Sequence, residues 1–186
     1  TGLTGGSSIA RTDSITLNSS LTNSWYGINI TVVDKASQRG ATTQTAVILV
    51  DVGAPAASIT APTAGQTLKG TVIATTSVSD TGLSRINRTE FLVDGSVLLT
   101  NSSQADNAQF TWETTQTIDG AHTLTIKAYD WAGNVRTSDA VNVTVDNAAP
   151  QDIVITSPTN KSFVTTTINI EASVSDAIAV QTVQFF

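Results

Sequence analysis

A stretch of about 95 residues recurs along this chain, and within it the apolar residues fall on every second position. Ser77-Val-Ser-Asp80 returns unchanged as Ser173-Val-Ser-Asp176. Ile59-Thr-Ala-Pro-Thr63 returns as Ile155-Thr-Ser-Pro-Thr159, and Asp51-Val-Gly-Ala-Pro55 as Asp146-Asn-Ala-Ala-Pro150. Upstream, Ile28-Asn-Ile-Thr-Val-Val-Asp34 aligns with Leu124-Thr-Ile-Lys-Ala-Tyr-Asp130. Such a period is too long for a solenoid unit and suits a small β-sandwich domain.

The alternation sets the secondary structure. Val72, Ala74, Thr76 and Val78 alternate with Thr71, Ile73, Thr75 and Ser77, and Ile168, Ile170, Ala172 and Val174 keep the same parity in the next copy. Leu124, Ile126 and Ala128 alternate with Thr123, Thr125 and Lys127, and Val141, Val143 and Val145 with Asn142 and Thr144. A period of two with threonine on the outer face describes half-buried antiparallel strands. No segment holds a 3.6-residue period, so no helix is expected. Turn signals at Ala64-Gly65, Asp94-Gly95, Asp119-Gly120 and Ala132-Gly133-Asn134 separate the strands. The whole copy then reads as seven strands near 56–60, 71–79, 88–93, 96–100, 107–113, 122–129 and 139–146. That count and spacing predict an all-β chain of tandem immunoglobulin-like sandwiches. Tyr26 stands where the tyrosine of a tyrosine corner belongs, its hydroxyl reaching back to the backbone; His122 holds that place in the complete copy.

The repeat also divides the chain. Residues 1–53 read as the last strands of one repeat, 54–149 as a complete repeat, and 150–186 as the first strands of a third. Half a sandwich cannot bury its apolar face, so neighbouring copies or adjacent repeats are the expected partners. The chain begins at Thr1 without an initiator Met, which reads as a processed product or a cut piece.

Composition removes most chemistry. There is no Cys and one His among 186 residues, which excludes disulfides, thiolate metal sites and thiol nucleophiles. A net charge of −6 speaks against nucleic acid as a partner. No apolar run reaches the roughly 18 residues of a membrane-spanning helix. With 32 Thr and 19 Ser, the outer faces are hydroxyl-rich and weakly charged.

The linker Val145-Asp-Asn-Ala-Ala-Pro150 with Ile155-Thr-Ser-Pro158, together with Phe91-Leu-Val-Asp-Gly95, Asp119-Gly-Ala-His-Thr-Leu124 and Ala128-Tyr-Asp-Trp-Ala-Gly-Asn134, resembles the Ig-like repeats of large bacterial and archaeal surface proteins and adhesins. The Asp51–Pro55 linker is a degenerate version of the motif. The resemblance implies an extracellular, cell-surface protein that is not itself an enzyme. It implies part of a filament, stalk or surface layer, or alternatively an adhesin or carbohydrate-binding module, or an accessory domain of a secreted enzyme. The resemblance also implies a calcium option, since some members of this group bind calcium through aspartates at domain junctions. The matching set here is Asp80, Asp130 and Asp146, repeated as Asp34, Asp51 and Asp176. Turn formation explains the same aspartates without a metal.

Other residues bear on function. Asn18, Asn29, Asn87, Asn101, Asn142 and Asn160 lie in Asn-x-Ser/Thr sequons, which makes an N-glycoprotein the expectation in a source that glycosylates. Trp112 sits on inward parity with Phe110 and is expected in the core. Trp131, in a loop, and Trp25 are the candidates for an exposed ring that stacks on a glycan or docks against a neighbour. Glu90 and Glu113, or some pair of aspartates, are the acids to weigh for glycoside hydrolysis, but no sequence feature sets two of them across a cleft at catalytic separation.

Overall fold

The structure is a computed structural model that describes residues 22–30, 44–104 and 106–186. The chain forms two compact units, Thr1–Val52 and Gly53–Phe186. In the first, strands β1 (Ser24–Ile30) and β2 (Gln44–Val50) pair antiparallel, Ser24 opposite Val50. Asn18 and Asp34 lie outside the described residues, as does the side chain of Asn29.

The second unit holds the complete sandwich. One sheet is β3 (Ala56–Ala61), β5 (Thr71–Ser79) and β8 (Gln109–Glu113), in that order. The facing sheet runs β4 (Thr67–Leu68), β11 (Val141–Val145), β9 (Gly120–Asp130), β6 (Ile86–Val93) and β7 (Ser96–Asn101). The short β10 (Val135–Thr137) continues the β11 edge along the far half of β9. All seven expected strands are present.

Two details fall outside the alternation reading. The first is a change of sheet. β3 pairs with β5, then the chain turns at Pro62 and β4 pairs parallel with β11 in the other sheet. The second is the break between β10 and β11. Ser138 bridges it, its N–H donating to the Ile126 carbonyl at 2.9 Å and its hydroxyl accepting from Ile126 N–H at 3.1 Å. β9 therefore keeps its hydrogen bonds across the interruption.

Packing follows the parity. Along β5 the buried positions are Ala74, Thr76 and Val78, and along β9 they are Leu124, Ile126, Ala128 and Asp130. Ile73, apolar but of outward parity, is 57% exposed. Thr76, polar but inward, donates to the Ala108 carbonyl at 2.8 Å and so meets no unsatisfied burial. Across the sandwich, Phe91 of β6 stacks on Phe110 at 5.5 Å and tilts against Trp112 at 6.3 Å, joining the two sheets. The β6–β7 hairpin turns on Asp94 and Gly95 alone, both with left-handed φ (51° and 78°), as the two-residue turn of a right-twisted ribbon demands.

Beyond Pro150 the repeat starts again with β12 (Gln151–Ser157) and β13 (Glu171–Ser175), paired antiparallel. Local geometry is copied as well as sequence. Asp80 Oδ1 accepts from Gly82 N–H at 2.8 Å, and Asp176 Oδ1 from Ile178 N–H at 2.9 Å. Ile153, Ile155, Ile168 and Ile170 remain exposed on this hairpin.

Candidate functional site

The single histidine serves as a corner. His122 Nε2 lies 2.7 Å from the Ile118 carbonyl oxygen, and Nδ1 lies 2.7 Å from Asp94 Oδ2. Tyr26 does the same in the first unit, donating its hydroxyl to the Thr22 carbonyl at 3.1 Å, also four residues back. The register between repeats therefore placed His122 correctly. Its ring edge meets Trp112 at 6.3 Å, so it closes the end of the core. Both ring nitrogens face acceptors, and only the doubly protonated ring can donate to both.

Burial opposes the charge on His122 and is the largest single influence. The hydrogen bonds to Asp94 and to the Ile118 carbonyl together outweigh it, so the pKa lies above the ordinary 6.5. Asp94 is held below its ordinary 3.8, by the Thr123 N–H first and by His122 second. The histidine contribution to stability is therefore complete below pH 6.5 and lost as pH rises through the raised folded value. The Asp94 contribution is present above pH 3.8 and lost as pH falls through its lowered folded value. Thermal unfolding followed from pH 6 to pH 9 is expected to show a falling midpoint. His122→Tyr, which restores the hydroxyl-to-carbonyl bond of Tyr26, is expected to remove most of that slope. An equal slope in the variant would show that the corner is not its source.

The predicted aspartate trio does not come together. Asp80 and Asp130 each offer a carboxylate oxygen within 4.8 Å of the other. Asp146 follows Val145, which pairs with Gly120 at the opposite end of β9 from Asp130. An ordinary strand of that length separates them. The reason is the order of the strands: β5 and β9 end at one pole of the sandwich, and β11 ends at the other. Asp130 also holds its own turn, accepting from Asn134 N–H at 2.8 Å and from Asn134 Nδ2 at 2.7 Å. Asp80 Oδ2 is out of water with no donor. Asp80 and Asp130 thus share one pole of the sandwich, away from Asp146. Calcium, which takes six to eight oxygens, would need most of its ligands from elsewhere.

At Asp146's pole the structure shows a cluster that the sequence reading did not single out. Asp119, in the loop before β9, accepts from Asn147 N–H at 2.8 Å through Oδ1 and from Ala148 N–H at 3.0 Å through Oδ2. Asn147 Oδ1 accepts from Gly70 N–H at 2.9 Å, and its Nδ2 donates to the Thr114 carbonyl at 3.1 Å. Asp146 N–H donates to the Leu68 carbonyl at 2.9 Å. Asp146, Asn147 and Ala148 of the linker are thereby fastened to the sandwich. In the first unit Asn23 Oδ1 accepts from Val52 N–H at 2.9 Å, at the equivalent position of the repeat. The signal was present in that equivalence: a side-chain acceptor three residues before the corner residue, and a linker residue at matching distance.

The remaining candidates fall as follows. Trp112 is buried with Phe110, as expected. Trp131 is 59% exposed and Trp25 64%. Asn142 and Asn160 are exposed; Asn87 and Asn101 are half-buried, and Asn101 Oδ1 accepts from Ser103 N–H at 2.8 Å. Glu90 and Glu113 stand on different sheets. Glu90 is tied to Arg88 at 3.0 Å and accepts from the Tyr129 hydroxyl at 2.9 Å, while Glu113 accepts from Thr71 at 2.8 Å. No helix among the described residues is long and apolar enough to cross a membrane.

Solved structures with a similar course of the chain include an endo-β-1,4-mannanase from Thermotoga petrophila. It is 20% identical over 53% of this chain and 21% of its own, with a TM-score of 0.43. The fibronectin(III)-like modules of Clostridium thermocellum CbhA are 27% identical over 50% of this chain and 100% of theirs, TM-score 0.43. Dimeric latent PorU from Porphyromonas gingivalis is 13% identical over 70% of this chain and 15% of its own, TM-score 0.37. This chain thus spans about a fifth of the mannanase. No curated protein matches. The profile of the bacterial Ig domain matches residues 55–126 and again 152–186, together more than half of the chain. With the seven-stranded sandwich, the shared corner and the second match at the repeated segment, the chain belongs to the bacterial Ig domain family.

Proposed function

We propose that the complete repeat is a non-catalytic spacer in a secreted or cell-surface bacterial protein, built to hold the next repeat at a fixed angle. The linker clamp carries this reading. Asn147 and Asp119 leave Asp146, Asn147 and Ala148 with their N–H groups bound to the sandwich, so the chain leaves the domain in one direction. Pro150 then limits the backbone before β12 begins. The one histidine is committed to the corner, and Glu90 and Glu113 are held on separate sheets. In the finer form of this reading, tandem copies build a stalk, filament or surface layer, and Asn142 and Asn160 are its best-exposed glycan acceptors.

Amide hydrogen exchange tests the clamp. Asn147 and Ala148 are expected to exchange with an opening free energy close to that of the β11 amides. Exchange at the rate of an open loop would contradict the reading.

A further inference from the structure

The loops at the β5-terminal pole of the sandwich enclose a cleft of about 520 Å³, lined by Asp80, Gly82, Arg85, Gln104, Asp106 and Trp131. We infer that this cleft binds a neutral hexose unit of a polysaccharide, with the Trp131 ring as its stacking face. The inference goes beyond the spacer reading, which stands or falls on the linker at the other pole.

Trp131 is presented rather than packed away. Its N–H donates to the Arg85 carbonyl at 3.1 Å, and the turn after it is closed by three bonds between Asp130 and Asn134. Trp131 is 59% exposed, and the backbone that carries it is braced, so the ring is offered from a fixed point. The buried Ile86 also lines the cleft. The opposite walls are two further loops. Gln104 and Arg85 both have left-handed φ (60° and 62°), a conformation that costs free energy and is retained only where the surrounding structure over-determines it. The Asp106 carbonyl accepts from Val78 N–H at 2.8 Å, which ties that loop to β5.

The chemistry selects the ligand class. An apolar ring face beside two carboxylates, a guanidinium and a carboxamide matches a pyranose, which has C–H groups on one face and hydroxyls around its edge. The ionised side chains of the lining, two Asp and one Arg, sum to −1, which disfavours uronates and phosphates. The volume lies within the range of small-molecule pockets, about 300–1,000 Å³.

The test is a calorimetric titration of the chain with cellohexaose, mannohexaose and chitohexaose, with trigalacturonate as the anionic comparison. At least one neutral hexaose is expected to bind saturably at millimolar concentration or below, and trigalacturonate more weakly. Trp131→Ala is expected to weaken binding about tenfold, whereas Trp25→Ala leaves it unchanged. Trp131 is exposed, so the variant should unfold at the same temperature as the parent, which is measured alongside. Absence of saturable binding by all three neutral sugars, equal binding by Trp131→Ala, or tighter binding of trigalacturonate would overturn the inference.

Discussion

Phe91→Ala is expected to cost the complete sandwich about 3–5 kcal/mol, the largest loss of any single truncation considered for this chain. Phe91 is fully buried on β6 and is the ring through which the large sheet reaches the small one, against Phe110 and Trp112 of β8. Removing it deletes the apolar transfer free energy and leaves a cavity between two rings that the strands hold apart. Small domains are stable by only about 5–15 kcal/mol, so the loss takes a large share of the whole. For a domain of this size it lowers the unfolding midpoint by roughly 15 °C or more. Phe91→Leu should recover most of it. Ile73→Ala is the control, since Ile73 is apolar yet faces solvent; its effect is expected within about 0.5 kcal/mol. A loss below about 1 kcal/mol for Phe91→Ala would mean that the sheets are not joined through this ring.

How much of this was visible in the sequence depends on the range of the interaction. A period of two assigns each residue to a face, so Trp112, Leu124 and Val143 were read into the core from spacing alone. The repeat then supplied what spacing could not, because aligning His122 with Tyr26 gave the histidine a structural place. Features made by contacts between distant loops left no such trace. Asp119 and Asn147 are 28 residues apart, and neither carries a pattern that names the other. The β4 strand is two residues long, too short to show any period. Asp80, Asp130 and Asp146 all end strands, and the sequence does not say at which pole. The antiparallel course of β9 and β11 puts Asp146 at one end and Asp130 at the other. The cleft at Trp131 draws on three loops, and of its lining only Trp131 and Asp80 stood out beforehand, Asp80 for a different role.

Asn147→Ala carries the second large effect. It removes the acceptor for Gly70 N–H and the donor to the carbonyl of the fully buried Thr114. Leaving such groups without partners costs about 1–3 kcal/mol, and Asn147 is itself exposed, so water moderates the loss; about 2 kcal/mol is expected. Asn147→Asp is the informative partner. It keeps an acceptor for Gly70 but loses both Nδ2 bonds and sets a second carboxylate beside Asp119, so it should do no better than alanine.

The stability change is secondary to what the substitution does to the linker. Because the chain has no Cys, spin labels can be attached at chosen positions without background. Ser77→Cys and Ser173→Cys place one label at the equivalent exposed position of each repeat, on β5 and β13. The pulsed electron–electron distance distribution between them measures directly whether one repeat fixes the direction of the next. A single distribution no broader than the labels' own rotamers is predicted for the parent chain, widening in Asn147→Ala. A distribution already broad in the parent, and unchanged by that substitution, would contradict the account of this domain as a directing spacer.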